Sequence, residues 1–243
     1  METTGRTGPS PRPFHLFGRF GAVAATWAAL VLAAGAGEKD RDRAGGKPAA
    51  LVLFDGKGLE GWKKTDFANP GDVKVEDGAI VLSTGRAMTG ITSTRADLPR
   101  KDYELNYEAQ RLSGRDFFAA ATFPVGDSYL TFVNGGWGGS VTGLSSLDGA
   151  DASENETSRF VKYEDKTWYK FRVRVTGTTV RCWVDDKEVA AVNYQDRKVG
   201  TRIESRSCQP LGFATWDTGG ALRKIEVRRL TPAEVASNHK PQE

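Results

Sequence analysis

Apolar residues along this 243-residue chain recur every second position, not every 3.6, and that restricts the fold to strands. Tyr103, Leu105, Tyr107 and Ala109 alternate with Glu104, Asn106, Glu108 and Gln110. Tyr169, Phe171, Val173 and Val175 alternate with Lys170, Arg172, Arg174 and Thr176. Such alternation sends one face of a strand into a core and leaves the other wet. Further strands are predicted over 79–83, 117–123, 129–134, 179–185, 211–216 and 223–230. Turn signals fall between them at Glu76-Asp77-Gly78, Gly126-Asp127, Asp185-Asp186-Lys187 and Thr218-Gly219-Gly220. Many short strands, Gly-rich turns and almost no helical pattern argue for an all-β, two-sheet sandwich. Thr231-Pro232-Ala233-Glu234 is the one helix signal, a capping box with Pro at the first helical position.

The first residues read as targeting. Arg12 and Arg19 precede an apolar run over 21–34, and Ala34-Gly35-Ala36 fits a small-x-small cleavage site. The run is short for a bilayer core of roughly 30 Å. Cleavage after Ala36 is the favoured reading and an uncleaved anchor the lesser one, so no stable membrane span is expected once the leader is gone. The expected organisation is a signal peptide over 1–36, a polar flexible linker over 37–50, the sandwich over 51–230, and a short helix and tail over 231–243. An exported chain, periplasmic or extracellular, follows.

Cleavage removes Arg6, Arg12, Arg19 and Glu2 and leaves the mature chain near neutrality with both signs interspersed. A nucleic-acid partner needs a concentrated basic face and is not expected. Cys182 and Cys208 could form one disulfide in an oxidising compartment or stand as buried thiols, and the sequence leaves both open. No CxxC spacing occurs, so zinc and thioredoxin-type chemistry are not indicated.

The two histidines, His15 and His239, lie in the leader and the tail. A Ser-His-Asp triad and His-ligated zinc are thereby excluded from the body of the domain. Chemistry there falls to carboxylates, Tyr, Lys, Arg or an oxygen-bound cation. The segment 134–160, rich in Gly, Ser and acids, reads as one long loop, and a loop of that length in a compact domain is often functional. Asn134 opens it. Trp137, between two pairs of glycines, suits stacking on the apolar face of a pyranose or plugging a sheet edge. Asp148, Asp151 and Asn155 could hold a divalent cation through oxygen, although a solvated acidic loop is the plainer reading. Asn106 and Gln110 share a strand face with Glu104 and Glu108, where amides and acids could meet sugar hydroxyls. Trp216 alternates away from Phe213 and Thr215 and is expected to face a groove.

The run Leu53-Phe54-Asp55-Gly56-Lys57-Gly58-Leu59-Glu60-Gly61-Trp62-Lys63 resembles the opening signature of the 3-keto-disaccharide hydrolase family. Tyr103-Glu104-Leu105-Asn106-Tyr107-Glu108-Ala109-Gln110 resembles a later strand of that family, with Glu108 on its second acid. Pro210-Leu211-Gly212-Phe213-Ala214-Thr215-Trp216 resembles its closing hairpin. Two middle motifs of the better-characterised members, an asn-ser-gly turn and a tyr-glu-x-gln-ile-x-asp segment, are missing. The resemblance implies a concanavalin A-like (laminin G-like) jelly-roll sandwich, a carbohydrate or glycoside partner, and action on glycosides oxidised at carbon 3. In that chemistry a base removes the C2 proton beside the ketone, the aglycone leaves, and water adds. Glu108 and Glu154 are then base candidates, with Arg115 polarising the keto oxygen. A glycan-binding module without catalysis is the alternative, favoured by the missing motifs. A two-carboxylate glycosidase, whose acids stand about 5–5.5 Å or 6.5–9.5 Å apart, is a third.

Overall fold

The structure, a computed structural model, describes residues 48–238. The expected leader over 1–36, most of the expected linker over 37–50 and the residues from 239 on lie outside the described residues. Fifteen strands follow in chain order: β1 (Leu51–Phe54), β2 (Trp62–Lys64), β3 (Val73–Glu76), β4 (Ala79–Leu82), β5 (Met88–Ser93), β6 (Tyr103–Ser113), β7 (Ala120–Val125), β8 (Ser128–Gly135), β9 (Val141–Ser145), β10 (Arg159–Phe160), β11 (Tyr169–Val175), β12 (Thr179–Val184), β13 (Lys187–Asn193), β14 (Gly212–Trp216) and β15 (Gly219–Arg229). They form two antiparallel sheets. The first runs β13-β12-β11-β6-β15-β4-β3, with β1 also on β15; the second runs β10-β9-β8-β7-β14-β5-β2. The all-β two-sheet sandwich expected from the alternation is the fold observed.

The inward halves of the alternating strands make the core. Tyr107 of β6 stacks on Phe171 of β11 at 5.0 Å and meets Phe213 of β14 edge-on at 4.9 Å. Leu105, Val173, Phe123, Leu130, Phe132 and Leu144 fill the layer with no exposed surface. Each such side chain contributes about 1.5–3 kcal/mol relative to leaving it in water.

The opening signature is a clasp between the sheets. β1 joins β15 of the first sheet and β2 joins β5 of the second. Between them Asp55 Oδ1 accepts from the Lys57 amide at 3.0 Å, an Asx turn, and Gly56 holds φ 90. Gly56 packs so closely on the Gly78 carbonyl that an added Cβ would stand 3.2 Å from it. Trp62 then lies buried and donates its indole N–H to the Leu53 carbonyl at 2.7 Å.

The segment 134–160 is not one loop, because it contains β9 and the short β10. β9 has both faces covered, so Val141-Thr142-Gly143-Leu144-Ser145 shows no apolar–polar alternation. Its outer side is roofed by the turn through Thr157, whose carbonyl would lie 3.0 Å from a Cβ on Gly143.

On the outer face of the first sheet the polar halves of the strands pair across the ladder. Glu104 binds Arg174 of β11 at 2.6 Å and Arg228 of β15 at 2.9 Å. Glu108 binds Arg223 at 2.7 Å and Lys224 at 2.8 Å. Arg172 stacks on Trp183 at 4.4 Å and Arg223 on Trp168 at 4.0 Å. Arg228 continues to Glu234 at 2.8 Å, which closes the capping box of the short helix Pro232–Ser237 by accepting from the Thr231 amide at 2.9 Å.

Cys182 and Cys208 are both free and buried, which decides between the two readings in favour of thiols. Burial drives the Cys182 thiol up and pushes Cys208 up to about 12, so neither forms a thiolate at neutral pH. Ellman's reagent is expected to label no thiol in the native protein and two in denaturant, with or without prior reduction. Native labelling, or a requirement for reductant, would contradict this arrangement.

Candidate functional site

The turn from β8 to β9 builds one wall of a site on the outer face of the second sheet. In Gly135-Gly136-Trp137-Gly138-Gly139 four of the five residues have positive φ, 74, 49, 86 and 111 at Gly135, Trp137, Gly138 and Gly139. Glycines adopt these angles freely, but a tryptophan does so rarely and at a cost. Asp116 holds the turn, its Oδ2 accepting from the Gly138 amide at 3.2 Å and its Oδ1 from the Phe117 amide at 2.8 Å. The indole of Trp137 is left 43% exposed.

Trp137 lines a cavity of about 220 Å³ floored by Met88, Phe117, Ala120, Val133 and Trp216. Phe117 and Trp216 pack against each other at 6.2 Å. Period two sets this floor: Phe213 and Thr215 point inward from β14, so Ala214 and Trp216 point outward. The opposite wall is the turn of 3-10 helix Ile203–Cys208, with Arg202, Glu204 and Ser205 at the cavity. Arg202 bridges Glu204 at 3.0 Å and also binds Asp151, whose other oxygen accepts from Ser145 at 3.2 Å. Hydrogen bonds from Arg202 hold the Glu204 carboxyl below its ordinary value, outweighing partial burial. The result is an aromatic and apolar floor with a charged rim, the usual composition of a small-ligand site.

The residues singled out from the sequence are divided among several places. Trp137 and Trp216 share the cavity. Glu108 and Asn106 lie across the sandwich, in a groove of about 790 Å³ on the outer face of the first sheet. Gln110 lies on that same strand face, half-buried. Burial disfavours ionisation of Glu108, but the hydrogen bonds of Lys224 and Arg223 outweigh it and hold its carboxyl below the ordinary value. Arg115 is exposed in the loop before β7, and Glu154 on the turn after β9. Glu108, Arg115 and Glu154 therefore line no common cavity. Asn134 is in phase with Leu130 and Phe132, so it points into the core and donates to the Tyr107 hydroxyl at 3.2 Å instead of facing a ligand.

The oxygens offered for a cation are already occupied. Asp148 accepts from Arg197 at 2.5 Å and from the Lys198 amide at 2.7 Å. Asp151 is taken by Arg202 and Ser145, and Asn155 Oδ1 by Thr157 at 2.6 Å. Among the described residues no group of three His, Cys, Asp or Glu side chains is placed to hold a metal. This donor set does not fit a divalent cation, because N–H and O–H donors fill the lone pairs it would need.

Sequence reasoning missed Asp116, Phe117, Arg202 and Glu204. Phe117 was legible as apolar, but the strand begins three residues later, at Ala120, and frees it to cap the cavity. Arg202 and Glu204 lie in a polar segment without periodicity, and nothing local says which sheet it crosses.

Among the described residues no helix is long and apolar enough to cross a membrane. No curated protein matches the chain significantly. Several solved structures share its fold. The apo Crh5 transglycosylase aligns at 12% identity and TM-score 0.53, covering 78% of this chain and 87% of that one. Domain 4 of AbnA, an extracellular arabinanase of Geobacillus stearothermophilus bound to arabinotriose, aligns at 16% identity and TM-score 0.50, covering 80% and 98%. A structure from a study of endo-acting O-glycanases of the human gut microbiota aligns at 15% identity and TM-score 0.50, covering 74% and 100%. At these identities the likeness is one of fold. Residues 49–228 match a family described as the 3-keto-alpha-glucoside-1,2-lyase-like domain, the one the opening signature resembles. The chain belongs to this carbohydrate-active β-sandwich family.

Proposed function

We propose that the protein binds a glycoside in the Trp137–Trp216 cavity and cleaves glycosides oxidised at carbon 3 there. The carrying observation is that Trp137 lines the same cavity as its apolar floor of Trp216 and Phe117, beside the Arg202–Glu204 pair. Indole faces suit the C–H face of a pyranose, and the rim suits its hydroxyls. Membership of the family supports the 3-keto substrate, and saccharide-bound structures of the same fold make sugars the class to try first.

In this reading Glu204, ionised at neutral pH, takes the C2 proton made acidic by the ketone. The C–H electron pair becomes the C1=C2 bond, the C1–O bond breaks, and the aglycone departs and is protonated. Water then adds across the double bond, giving net hydrolysis. Arg202 supplies positive charge for the developing enolate oxygen. The leader over 1–36 makes the protein an exported one, acting in the periplasm or outside the cell.

Aglycone release from a 3-keto-glucoside tests this directly. Glu204→Gln is expected to slow it by about 10²-fold, the low end for a general base, since a carboxylate held by arginine is a weak one. Full turnover in that variant would remove Glu204 from the role. A binding-only module is the second reading, favoured because Asp116, Asp151 and Glu204 all already accept hydrogen bonds from protein donors. Saturable glycoside binding by the wild type without aglycone release would select it.

A further inference from the structure

We propose that the cleft beside the Trp137 turn is a second saccharide subsite, so that the protein takes an extended glycan chain; this rests on the saccharide reading of the Trp137 cavity. The cleft measures about 510 Å³ and is lined by Arg111, Arg115, Gly138, Gly139, Phe160 and Tyr163, among others. Trp137 lines the first cavity while its neighbours Gly138 and Gly139 line this one, so a single turn separates the two.

Phe160 is 86% exposed, the most exposed large apolar side chain among the described residues. A lone exposed apolar residue needs no explanation, but this one is aimed by register. It pairs with Val141 of β9, and directly paired residues of antiparallel strands share a face. Val141 clusters with Val133, which lines the Trp137 cavity. Phe160 thus offers a second aromatic ring on the same face, one turn away from the first.

The polar part of the cleft is built too. Arg111 is fixed by Asp165 at 2.6 Å and by the Tyr163 carbonyl at 2.8 Å, a rigid wall. Arg115 is exposed and pairs with no described side chain, leaving its guanidinium for ligand hydroxyls. β10 is the last strand of its sheet, so among the described residues no further strand closes the far side of the cleft. A chain whose first ring lies on Trp137 can run past Phe160 and continue beyond the edge.

The test titrates the full-length protein with gluco-oligosaccharides of two and six units, in α-1,4, β-1,3 and β-1,4 linkage. For the linkage that binds, the six-unit chain is expected to bind about tenfold tighter than the two-unit chain. Phe160→Ala should erase that advantage and Phe160→Trp should keep it. Equal affinity for both lengths, or an undiminished advantage in Phe160→Ala, would overturn the subsite. Binding of neither length in any linkage by the wild type would instead sink the saccharide reading of the Trp137 cavity, and the subsite with it.

Discussion

Replacing Trp137 by glycine should abolish glycoside binding, and turnover with it, while leaving the protein as stable as before or more so. The two halves of that expectation have separate causes. The indole is 43% exposed, so the fold gains little from its burial. The backbone beneath it sits at φ 49 and ψ 54, a conformation that costs a bulky residue about 1–3 kcal/mol. Glycine removes that cost, offset in part by the greater freedom of its unfolded chain. A net gain near 1 kcal/mol would raise Tm by about 2–4 °C in a domain of this size. Binding moves the other way, because a central aromatic anchor is commonly worth 2 kcal/mol or more on truncation, and a hundredfold loss corresponds to about 2.7 kcal/mol. Calorimetric titration and thermal melts on the same preparation check both halves. A variant that melts many degrees lower would make Trp137 a plug for the sheet edge, and one that binds normally would remove it from the site.

Period two told much of this fold and left one question about the site unanswered. It found β11, reading alternation over 169–176 where the strand runs Tyr169–Val175, and gave β6 its inward and outward faces, although the outward Glu104 and Glu108 are buried beneath their basic partners rather than wet. It missed β9, where a roofed strand shows no contrast between faces. Asn134 was legible in principle, since it continues the inward phase of Leu130 and Phe132, but a glycine-rich neighbourhood reads as loop. For the site the obstacle was different. Alternation separates inside from outside, yet a sandwich has two outsides, and only strand order says which one a residue occupies. Glu108 and Trp137 both point outward, from opposite sheets. The acids of β6 look available in the sequence because the arginines that neutralise them lie far along the chain: Arg174 and Arg228 are 70 and 124 positions from Glu104, and Arg223 is 115 from Glu108.

Arg228→Met should cost the largest share of stability of any single outer-face change, and should flatten the response to acid. Arg228 is only 8% exposed and bridges Glu104 and Glu234, so its loss leaves two carboxylates short of a partner. Breaking a buried pair from one side costs about 3–5 kcal/mol, and the lower figure applies because Arg174 still holds Glu104. That is a fall in Tm of roughly 6–12 °C for a domain of this size. The acid response follows from the same bonds. Hydrogen bonds from Arg228 hold Glu234 down to about 2 in the folded protein, against an ordinary value of 4.5. Burial works against ionisation of Glu104, but Arg174 and Arg228 outweigh it and keep that carboxyl low as well. A depressed carboxyl stabilises the fold fully above its unfolded value and loses that contribution as pH falls through the folded one. Wild-type Tm should therefore drop between about pH 4.5 and 2, and Arg228→Met, already low at pH 7, should drop less across that window. Parallel melting curves for the two proteins from pH 7 to pH 2.5 would show that the Arg228 bridge does not set the acid response.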